Sequence, residues 1–382
     1  MNIFSTLTNT YALTLLIVAS FFFLVLVLYY ALAYFRVGRQ KKGAEELQNN
    51  ISDADLPSVS VVMTVHNDAY LLKDNLVYLL EQDYPRYEVV IVDYMSQDDT
   101  PYVLKVLKAN YPHLKVVNFK EDVNMYKGPK YPLSIGIRSA TNDVILLTEP
   151  DCKPLTFNWV KTMAAGFVRG HDMVAGYSGV RQEVGGLNMM MQYDNMESTA
   201  TMIGMSMMGC PYTAMGSNLS YKRSFFMNRK GFISHYSIPE GSDDIFVNQN
   251  ATRSNFRFVL HSDAFVERVP ASGYKQWRLQ RKKRYATKHL YSFGQKLLLM
   301  LHPLSLLLFY LSLVLMLVHD IMLWPFVVAL FVLKIAWQIV SFSVLNQRFG
   351  VKQVHFWSPL YEFYFLVANT FLYFSSLTRK NK

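Results

Sequence analysis

Cysteine and charge are both scarce in this chain of 382 residues. There are two cysteines, Cys152 and Cys210, too few for a disulfide framework, and this indicates a reducing compartment. Charged residues make up 17% of the chain and hydrophobic residues 51%, more than a soluble globular protein usually carries. The apolar excess is concentrated at the two ends. The composition therefore predicts a middle domain flanked by membrane helices.

The glycine-rich phosphate-binding motifs of two large enzyme classes are also missing. No G-x-G-x-x-G follows the first predicted strand, and no G-x-x-x-x-G-K-S/T occurs. A nicotinamide-dependent dehydrogenase and a P-loop enzyme both lose their main support. Any phosphate bound by this chain must therefore be held by a metal ion or by basic side chains.

Four apolar stretches are candidates for membrane spans. Residues 10–35 contain no charge, and at about 1.5 Å per residue they can cross a hydrocarbon core of roughly 30 Å. Residues 303–318 and 321–345 predict two more spans. Residues 360–377 hold Glu362, and two interpretations stay open: a last span, or a membrane-surface or buried helix.

Basic residues flank the middle region on both sides. They are Arg36, Arg39, Lys41 and Lys42 on one side and Lys275, Arg278, Arg281, Lys282, Lys283, Arg284 and Lys288 on the other. By the positive-inside rule, this pattern places the middle region in the cytoplasm. If residues 360–377 cross the membrane, this orientation puts the basic residues Arg379, Lys380 and Lys382 on the opposite side, against the same rule. These flanks explain most of the net charge of +10, so we predict no nucleic-acid partner.

Buried-type strands alternate with helical segments in the middle region. Strands are predicted at residues 58–65, 87–92, 114–119 and 144–148, and helices at residues 69–82, 102–110 and 131–139. Continuous apolar strands alternating with helices are typical of a mostly parallel sheet covered on both faces. The sequence therefore predicts an α/β domain that binds its ligand beyond the carboxyl ends of its strands.

Polar residues stand at three of those strand ends, namely residues 66–68, Asp93 and the pair Glu149 and Asp151. In an extended segment, residues i and i+2 point the same way, so the two carboxylates project together. Two like charges that close are unfavourable unless something positive lies between them. A divalent cation bound to phosphates is the usual solution. The pattern predicts a nucleotide crevice.

The segment Val-Ser-Val-Val-Met-Thr-Val-His-Asn-Asp resembles the opening strand of the membrane-bound family 2 glycosyltransferases, an inverting family. The resemblance covers roughly residues 57–291 and implies a single nucleotide-sugar-binding α/β domain. Val-Ile-Val-Asp-Tyr-Met-Ser-Gln-Asp-Asp-Thr and Lys-Gly-Pro-Lys resemble two further nucleotide-side motifs. The nucleotide-binding residues that the resemblance implies are His66, Asn67, Asp68, Asp93, Lys130 and Glu149.

The segment Leu-Leu-Thr-Glu-Pro-Asp-Cys-Lys-Pro resembles the D-x-D motif of the family. Asp151 matches the metal ligand, and Glu149 replaces the first Asp. The resemblance implies Mg²⁺ or Mn²⁺ as cofactor.

Two further segments resemble the acceptor side of the family. Gly-Cys-Pro-Tyr-Thr-Ala-Met-Gly-Ser-Asn-Leu-Ser-Tyr implies that Asn218 faces the acceptor or the diphosphate. Gln-Arg-Lys-Lys-Arg-Tyr is loosely similar to the Q-x-x-R-W helix, which implies the same for Gln280, Arg281 and Arg284.

The catalytic base of the family follows the acceptor segment, where this chain reads Glu-Gly-Ser-Asp-Asp-Ile-Phe. If Ile245 aligns with the Leu of the family, the position of the usual base falls on Ser242. The resemblance then favours Asp243 as the base, with Asp244 second.

The resemblance implies a metal-dependent glycosyltransferase of hexosyltransferase type, acting in cell-envelope glycan or glycolipid synthesis. Its partners would be a nucleoside-diphosphate sugar, a glycan or lipid-linked acceptor, and the inner (cytoplasmic) membrane. The predicted parts are residues 1–42, a transmembrane helix with its basic flank; residues 43–291, a cytoplasmic catalytic domain; and residues 292–382, with two or three membrane helices. A processive polysaccharide synthase, a polyprenyl-phosphate glycosyltransferase and a non-catalytic nucleotide-binding membrane protein stay open as alternatives.

Overall fold

The computed structural model describes residues 10–40, 55–119 and 128–377, the last six of these by their backbone alone. The basic residues Lys41, Lys42, Arg379, Lys380 and Lys382 lie outside the described residues. The contacts divide the chain into two compact units. A membrane unit comprises Met1–Gln40, Gln192–Gly204 and Tyr291–Lys382, and a sheet unit comprises Lys41–Met191 and Met205–Leu290.

Ten strands form two sheets in the described part of the sheet unit. The strands are β1 (Val59–Val65), β2 (Tyr87–Tyr94), β3 (Leu114–Phe119), β4 (Val144–Leu147), β5 (Cys152–Pro154), β6 (Met173–Gly176), β7 (Ser178–Val180), β8 (Leu219–Lys222), β9 (Phe256–Val259) and β10 (Val266–Arg268). The main sheet has seven strands in the order β3-β2-β1-β4-β8-β6-β9, and the small sheet has the order β5-β10-β7. The four predicted strands are the contiguous parallel half of the main sheet.

Helices occur in both units. They are α1 (Thr10–Gly38), α2 (Ala69–Leu80), α3 (Thr100–Asn110), α4 (Lys130–Ser139), α5 (Trp159–Ala165), α6 (Gly186–Met207), α7 (Arg223–Asn228), α8 (Asp244–Asn250), α9 (Tyr274–Ala286), α10 (Phe293–His319), α11 (Trp324–Phe349) and α12 (Val354–Leu377). Residues Tyr30–Phe35 of α1 are π-helical.

The main sheet is buried on both faces, as continuous apolar strands require. Val61 and Val62 are neighbours on β1, and they belong to separate hydrophobic clusters because successive side chains point to opposite faces. Leu76 of α2 lies in the first cluster and Ile137 of α4 in the second. Full burial of each such side chain contributes about 1.5–3 kcal/mol. The predicted α/β class, with a mostly parallel sheet covered by helices, is confirmed.

Glycine is required where α4 meets the sheet. A Cβ at Gly136 would lie 2.8 Å from Val62 Cγ1 and 2.9 Å from Val92 Cγ2, closer than real Cβ atoms come. The absence of a side chain at this position therefore allows the helix to lie directly on β1 and β2.

Among the described residues, three helices are long and apolar enough to cross a membrane: Thr10–Gly38, Phe293–His319 and Ile321–Phe349. Their ends carry recognisable signals. Ser292 and Gln295 form a capping box at the start of α10, and Gly350 ends α11 in the left-handed conformation with φ 68°. The helix at Val354–Leu377 is not among these three, and both interpretations of residues 360–377 stay open: a last span, or a membrane-surface or buried helix.

The middle of α6 belongs to the membrane unit. Tyr193 stacks on Phe342 of α11 and on Phe365 of α12, with ring centroids 5.2 Å and 5.4 Å apart. A Cβ at Gly204 would lie 2.6 Å from the Cα of Ala33 on α1. Small residues allow this close approach between helix backbones. The sequence did not predict that Gln192–Gly204 would cluster with the terminal helices.

Candidate active site

Three parallel strands end at one edge of the main sheet. Val65 on β1 pairs with Asp93 on β2, and Val62 on β1 pairs with Leu147, the last residue of β4. The residues that follow these strands are therefore neighbours, as the sequence predicted from the topology of parallel sheets. We call this edge the crevice.

The loop after β1 is held by its own polar side chains. Asn67 has a left-handed φ of 57°, and its side-chain oxygen accepts from the backbone N–H of Gln97 at 2.8 Å. Asp68 Oδ2 accepts from the backbone N–H of His66 at 2.8 Å. Burial raises the pKa of Asp68, with Asp151 and Asp98 adding to the rise. Asn67 and Asp68 therefore shape the loop, and the His66 side chain stays exposed.

Asp93 lies at the floor of the crevice with 5% of its surface exposed. Its Oδ1 accepts from the backbone N–H of Ser96 at 3.3 Å. A carboxylate fixed in this way at a strand end is suited to hydrogen-bonding a ligand.

The acidic pair is bridged by an arginine that the sequence analysis missed. Nη2 of Arg268 donates to Oε2 of Glu149, and Nε of Arg268 lies 3.5 Å from Oδ2 of Asp151. The antiparallel pairing of β10 with β5 sets Arg268 opposite Cys152, immediately after the acids. The positive charge that the two carboxylates require is a guanidinium in this structure.

Glu149, Asp151 and the neighbouring Cys152 are the side chains here that could bind a metal ion, and their surroundings make them unequal as ligands. Side-chain donor atoms of Glu149, Asp151 and Cys152 lie within 4.8 Å of one another. Burial raises the pKa of the Cys152 thiol well above its usual value, and the protonated thiol donates to Asp151 Oδ1 at 3.3 Å. Loss of hydration raises the pKa of Glu149, and Arg268 opposes that rise. The hard oxygen donor with the weaker contact to Arg268 is the carboxylate of Asp151.

Two further acids stand at the start of α8. Oδ2 of Asp243 accepts from the backbone N–H of Gly216 at 2.8 Å. Oδ1 of Asp244 accepts from the backbone N–H of Ile245 at 2.7 Å, and its Oδ2 accepts from the hydroxyl of Thr287. Both oxygens of Asp244 are therefore engaged by hydrogen bonds.

Lys130 is buried with its ammonium bound to backbone carbonyl groups, which corrects the predicted nucleotide contact. It is 2% exposed, and its Nζ donates to the carbonyl oxygens of His235 at 2.9 Å and Ile238 at 2.8 Å. Burial lowers its pKa to about 8, while Asp244 and Asp243 favour the charged form. The lysine therefore supports the segment that leads to these two acids.

Asn218 is also placed differently from the prediction. It is fully buried, and its side-chain amide donates to the carbonyl oxygens of Tyr177 at 2.8 Å and Ala264 at 2.7 Å. Its side-chain oxygen accepts from the indole N–H of Trp159 at 3.1 Å. Asn218 thus joins three segments of the fold, and the predicted contact with an acceptor or a diphosphate is corrected.

The basic helix α9 ends beside the acids of α8, because Thr287 at its C-cap contacts Asp244. The guanidinium of Arg281 lies over the ring of Trp277, 5.1 Å from its centroid, and the side chain is buried. Gln280 is half-buried and Arg284 is exposed. Of the two arginines predicted to face the acceptor or the diphosphate, Arg281 is buried and Arg284 is exposed.

Comparisons with known proteins agree with this geometry. Residues 60–230 match the profile of glycosyl transferase family 2. Glycosyltransferase AglE of Haloferax volcanii is 30% identical over 101 residues, which make up 26% of this chain and 32% of AglE. Probable glycosyltransferase YdaM of Bacillus subtilis is 29% identical over 102 residues, 26% of this chain and 24% of YdaM. The matches thus span about a third and a quarter of these relatives.

A solved structure shares the fold over nearly the whole chain. It is the mannosyltransferase PcManGT from Pyrobaculum calidifontis in complex with GDP-Man and Mn²⁺. It superposes with a TM-score of 0.56 at 20% identity, covering 90% of this chain and 99% of that one. This chain therefore shares the fold of that structure, and its residues 60–230 match glycosyl transferase family 2.

Proposed function

We propose that this protein transfers a sugar from a nucleoside-diphosphate sugar to an acceptor hydroxyl, with inversion at the anomeric carbon. The observation that carries the proposal is a crevice with acids from separate segments of the chain. Asp93 ends its strand beside Val65, and the charges of Asp151 and Asp243 both raise the pKa of Glu149. Donor and acceptor sides of one reaction can then meet at a single edge of the sheet.

Asp243 is the general base in this proposal. A sugar hydroxyl is a poor nucleophile, and a carboxylate that takes its proton contributes typically 10²–10⁴-fold to the rate. The backbone N–H of Gly216 holds one oxygen of Asp243 and so orients the other. Asp244, with both oxygens hydrogen-bonded, is better suited to positioning. One direct displacement inverts the anomeric carbon and needs no covalent enzyme intermediate.

A divalent cation, Mg²⁺ or Mn²⁺, fits the hard carboxylate oxygens of this site, and Asp151 would hold it. When bound, such an ion stabilises the negative charge that develops on a departing diphosphate. His66 and Asp93 would contact the nucleotide, with the exposed imidazole lying against the base.

The donor to examine first follows from the solved neighbour. PcManGT binds GDP-Man and Mn²⁺, and it covers nearly the full length of this chain. We therefore propose a hexose donor of that kind, with a glycan or lipid-linked acceptor of the cell envelope. Residues 43–291 would form the catalytic domain on the cytoplasmic side of the inner membrane, held by the terminal helices.

The test is sugar transfer by the full chain in detergent, with GDP-mannose among a panel of donors and with Mn²⁺ or Mg²⁺. We expect Asp243→Asn to lower the rate constant of transfer 10²–10⁴-fold and Asp244→Asn to lower it about tenfold, or about 1.4 kcal/mol of barrier. Asp151→Asn should lower it by at least tenfold.

Asp74→Asn is the matched control, because this exposed aspartate lies on α2. It should keep the wild-type rate. If none of the three crevice variants loses more than tenfold, the assignment is wrong.

A further inference from the structure

The guanidinium of Arg268 contacts both carboxylates of the D-x-D-like segment. It donates to Glu149 and lies 3.5 Å from Asp151. An arginine stays charged at every pH at which a protein is folded. Its positive charge therefore stays beside Glu149 and Asp151 at every such pH.

The two contacts of Arg268 differ in quality. The contact with Glu149 is a hydrogen-bonded ion pair. The Nε beside Asp151 is buried and has no hydrogen-bond partner among the described residues, so this second contact is an ion pair without a hydrogen bond. The longer Glu side chain at position 149 anchors the arginine, and Asp151 is held less firmly.

A divalent cation needs the same carboxylate lone pairs that Arg268 engages. A cation bound to these oxygens would also be repelled by the positive charge of the neighbouring guanidinium. We propose that Arg268, anchored by Glu149, competes with the divalent cation for Asp151 and thereby sets the metal affinity of this site. The inference rests on the proposed function in one respect, which is that Asp151 is the metal ligand.

The experiment measures the dissociation constant of Mn²⁺ alone for the full chain in detergent, from the electron paramagnetic resonance signal of free Mn²⁺. We expect Arg268→Gln to bind Mn²⁺ at least tenfold more tightly than wild type. Arg268→Lys keeps the positive charge and should stay within threefold of wild type. The double variant Glu149→Gln/Arg268→Gln removes one charge of each sign, and it should also bind more tightly than wild type.

Lys222→Gln is the matched control, since Lys222 pairs with Asp172 at 2.9 Å in the same unit. Its dissociation constant should stay within twofold of wild type. Asp151→Asn added to Arg268→Gln should remove the gain, and a gain that persists would place the metal elsewhere and overturn the inference. Arg268 is not a competitor if both Arg268→Gln and the double variant bind Mn²⁺ no more tightly than wild type. The double variant decides if the single one does not fold.

Failure of this inference can be told apart from failure of the proposed function. The Mn²⁺ titration uses no donor and measures no transfer. Tighter binding by Arg268→Gln together with full transfer by Asp243→Asn would contradict the proposed base and leave the competition intact. If Arg268→Gln binds Mn²⁺ no more tightly than wild type while Asp243→Asn loses transfer, the proposed transferase stands and the proposed competition is wrong.

Discussion

Each unit of this protein contains a buried or half-buried pair of opposite charges, and the two pairs are built differently. In the membrane unit, Lys334 of α11 pairs with Glu362 of α12. In the sheet unit, Arg268 of β10 pairs with Glu149 after β4. The side chains of the membrane pair are 1% and 3% exposed, and those of the crevice pair are 29% and 45% exposed.

The membrane pair is saturated with hydrogen bonds. Lys334 Nζ donates to Glu362, to Gln338 Oε1 at 2.8 Å and to the hydroxyl of Tyr310 at 3.2 Å, which uses all three ammonium hydrogens. Glu362 also accepts from the hydroxyl of Tyr30. Tyr30, Tyr310, Lys334 and Glu362 come from four helices, so this cluster joins α1, α10, α11 and α12.

The crevice pair is left open by comparison. Arg268 Nε lacks a hydrogen-bond partner in the described part of the chain, and nearly half of the Glu149 side chain is exposed. The difference shows how similar charges serve different ends. A saturated pair inside a helix bundle fixes the arrangement of helices, whereas an open pair at a strand end keeps contacts available for a ligand.

The largest effect that separates the two pairs should come from breaking the membrane pair. Glu362→Gln leaves the Lys334 charge buried and uncompensated, and removal of one partner from such a pair costs about 3–5 kcal/mol. We expect a clear loss of unfolding free energy, measured by tryptophan fluorescence of the full chain in detergent during a titration with SDS.

Two companion variants test that interpretation. Lys334→Met/Glu362→Gln removes both charges and should recover most of the loss, since an uncharged pair of similar volume is tolerated in such sites. Thr370→Ala, at an exposed position of the same helix, should be close to neutral. A double variant as unstable as the single one would show that the charges do not compensate each other.

A smaller effect is expected at the crevice. Glu149→Gln removes the strong partner of Arg268, but both side chains reach solvent, and exposed ion pairs are worth about 0–1 kcal/mol. The same unfolding experiment should therefore give a loss below about 1 kcal/mol. A loss of unfolding free energy as large as that of Glu362→Gln would mean that the crevice pair also stabilises the fold, so that the two pairs do not differ in role.

The smallest loss of unfolding free energy should come from removing one hydrogen bond of the membrane pair while both charges stay. Tyr310→Phe removes one of three acceptors of Lys334, and a hydrogen bond between membrane helices is worth about 0.6 kcal/mol on average. The expected loss of unfolding free energy is of that order. An effect of several kcal/mol would show that Tyr310 is essential to the cluster, so that the remaining acceptors cannot hold the ammonium.

The structure corrects the sequence-based predictions chiefly where a partner is distant along the chain. Lys130 and Asn218 were assigned to the site because their motifs match, yet each is buried against carbonyl groups more than 40 residues away. Arg268 has no motif of its own, and its contact with Glu149 crosses 119 residues. Contacts of this kind depend on strand pairing, which a local pattern does not contain.

The sequence by itself determined the class of fold, the terminal apolar helices and the strand ends that carry acids. These features follow from local patterns: continuous apolar runs make buried strands, long uncharged runs make membrane helices, and parallel strands end on one side. The tertiary structure decided which charge meets which. It placed the guanidinium of Arg268 beside Glu149 and Asp151. It also placed the ammonium of Lys334 beside Glu362, the charged residue that left the interpretation of residues 360–377 open. The strength of an ion pair depends on the distance between the two charges and on their burial from water, and both are properties of the folded chain.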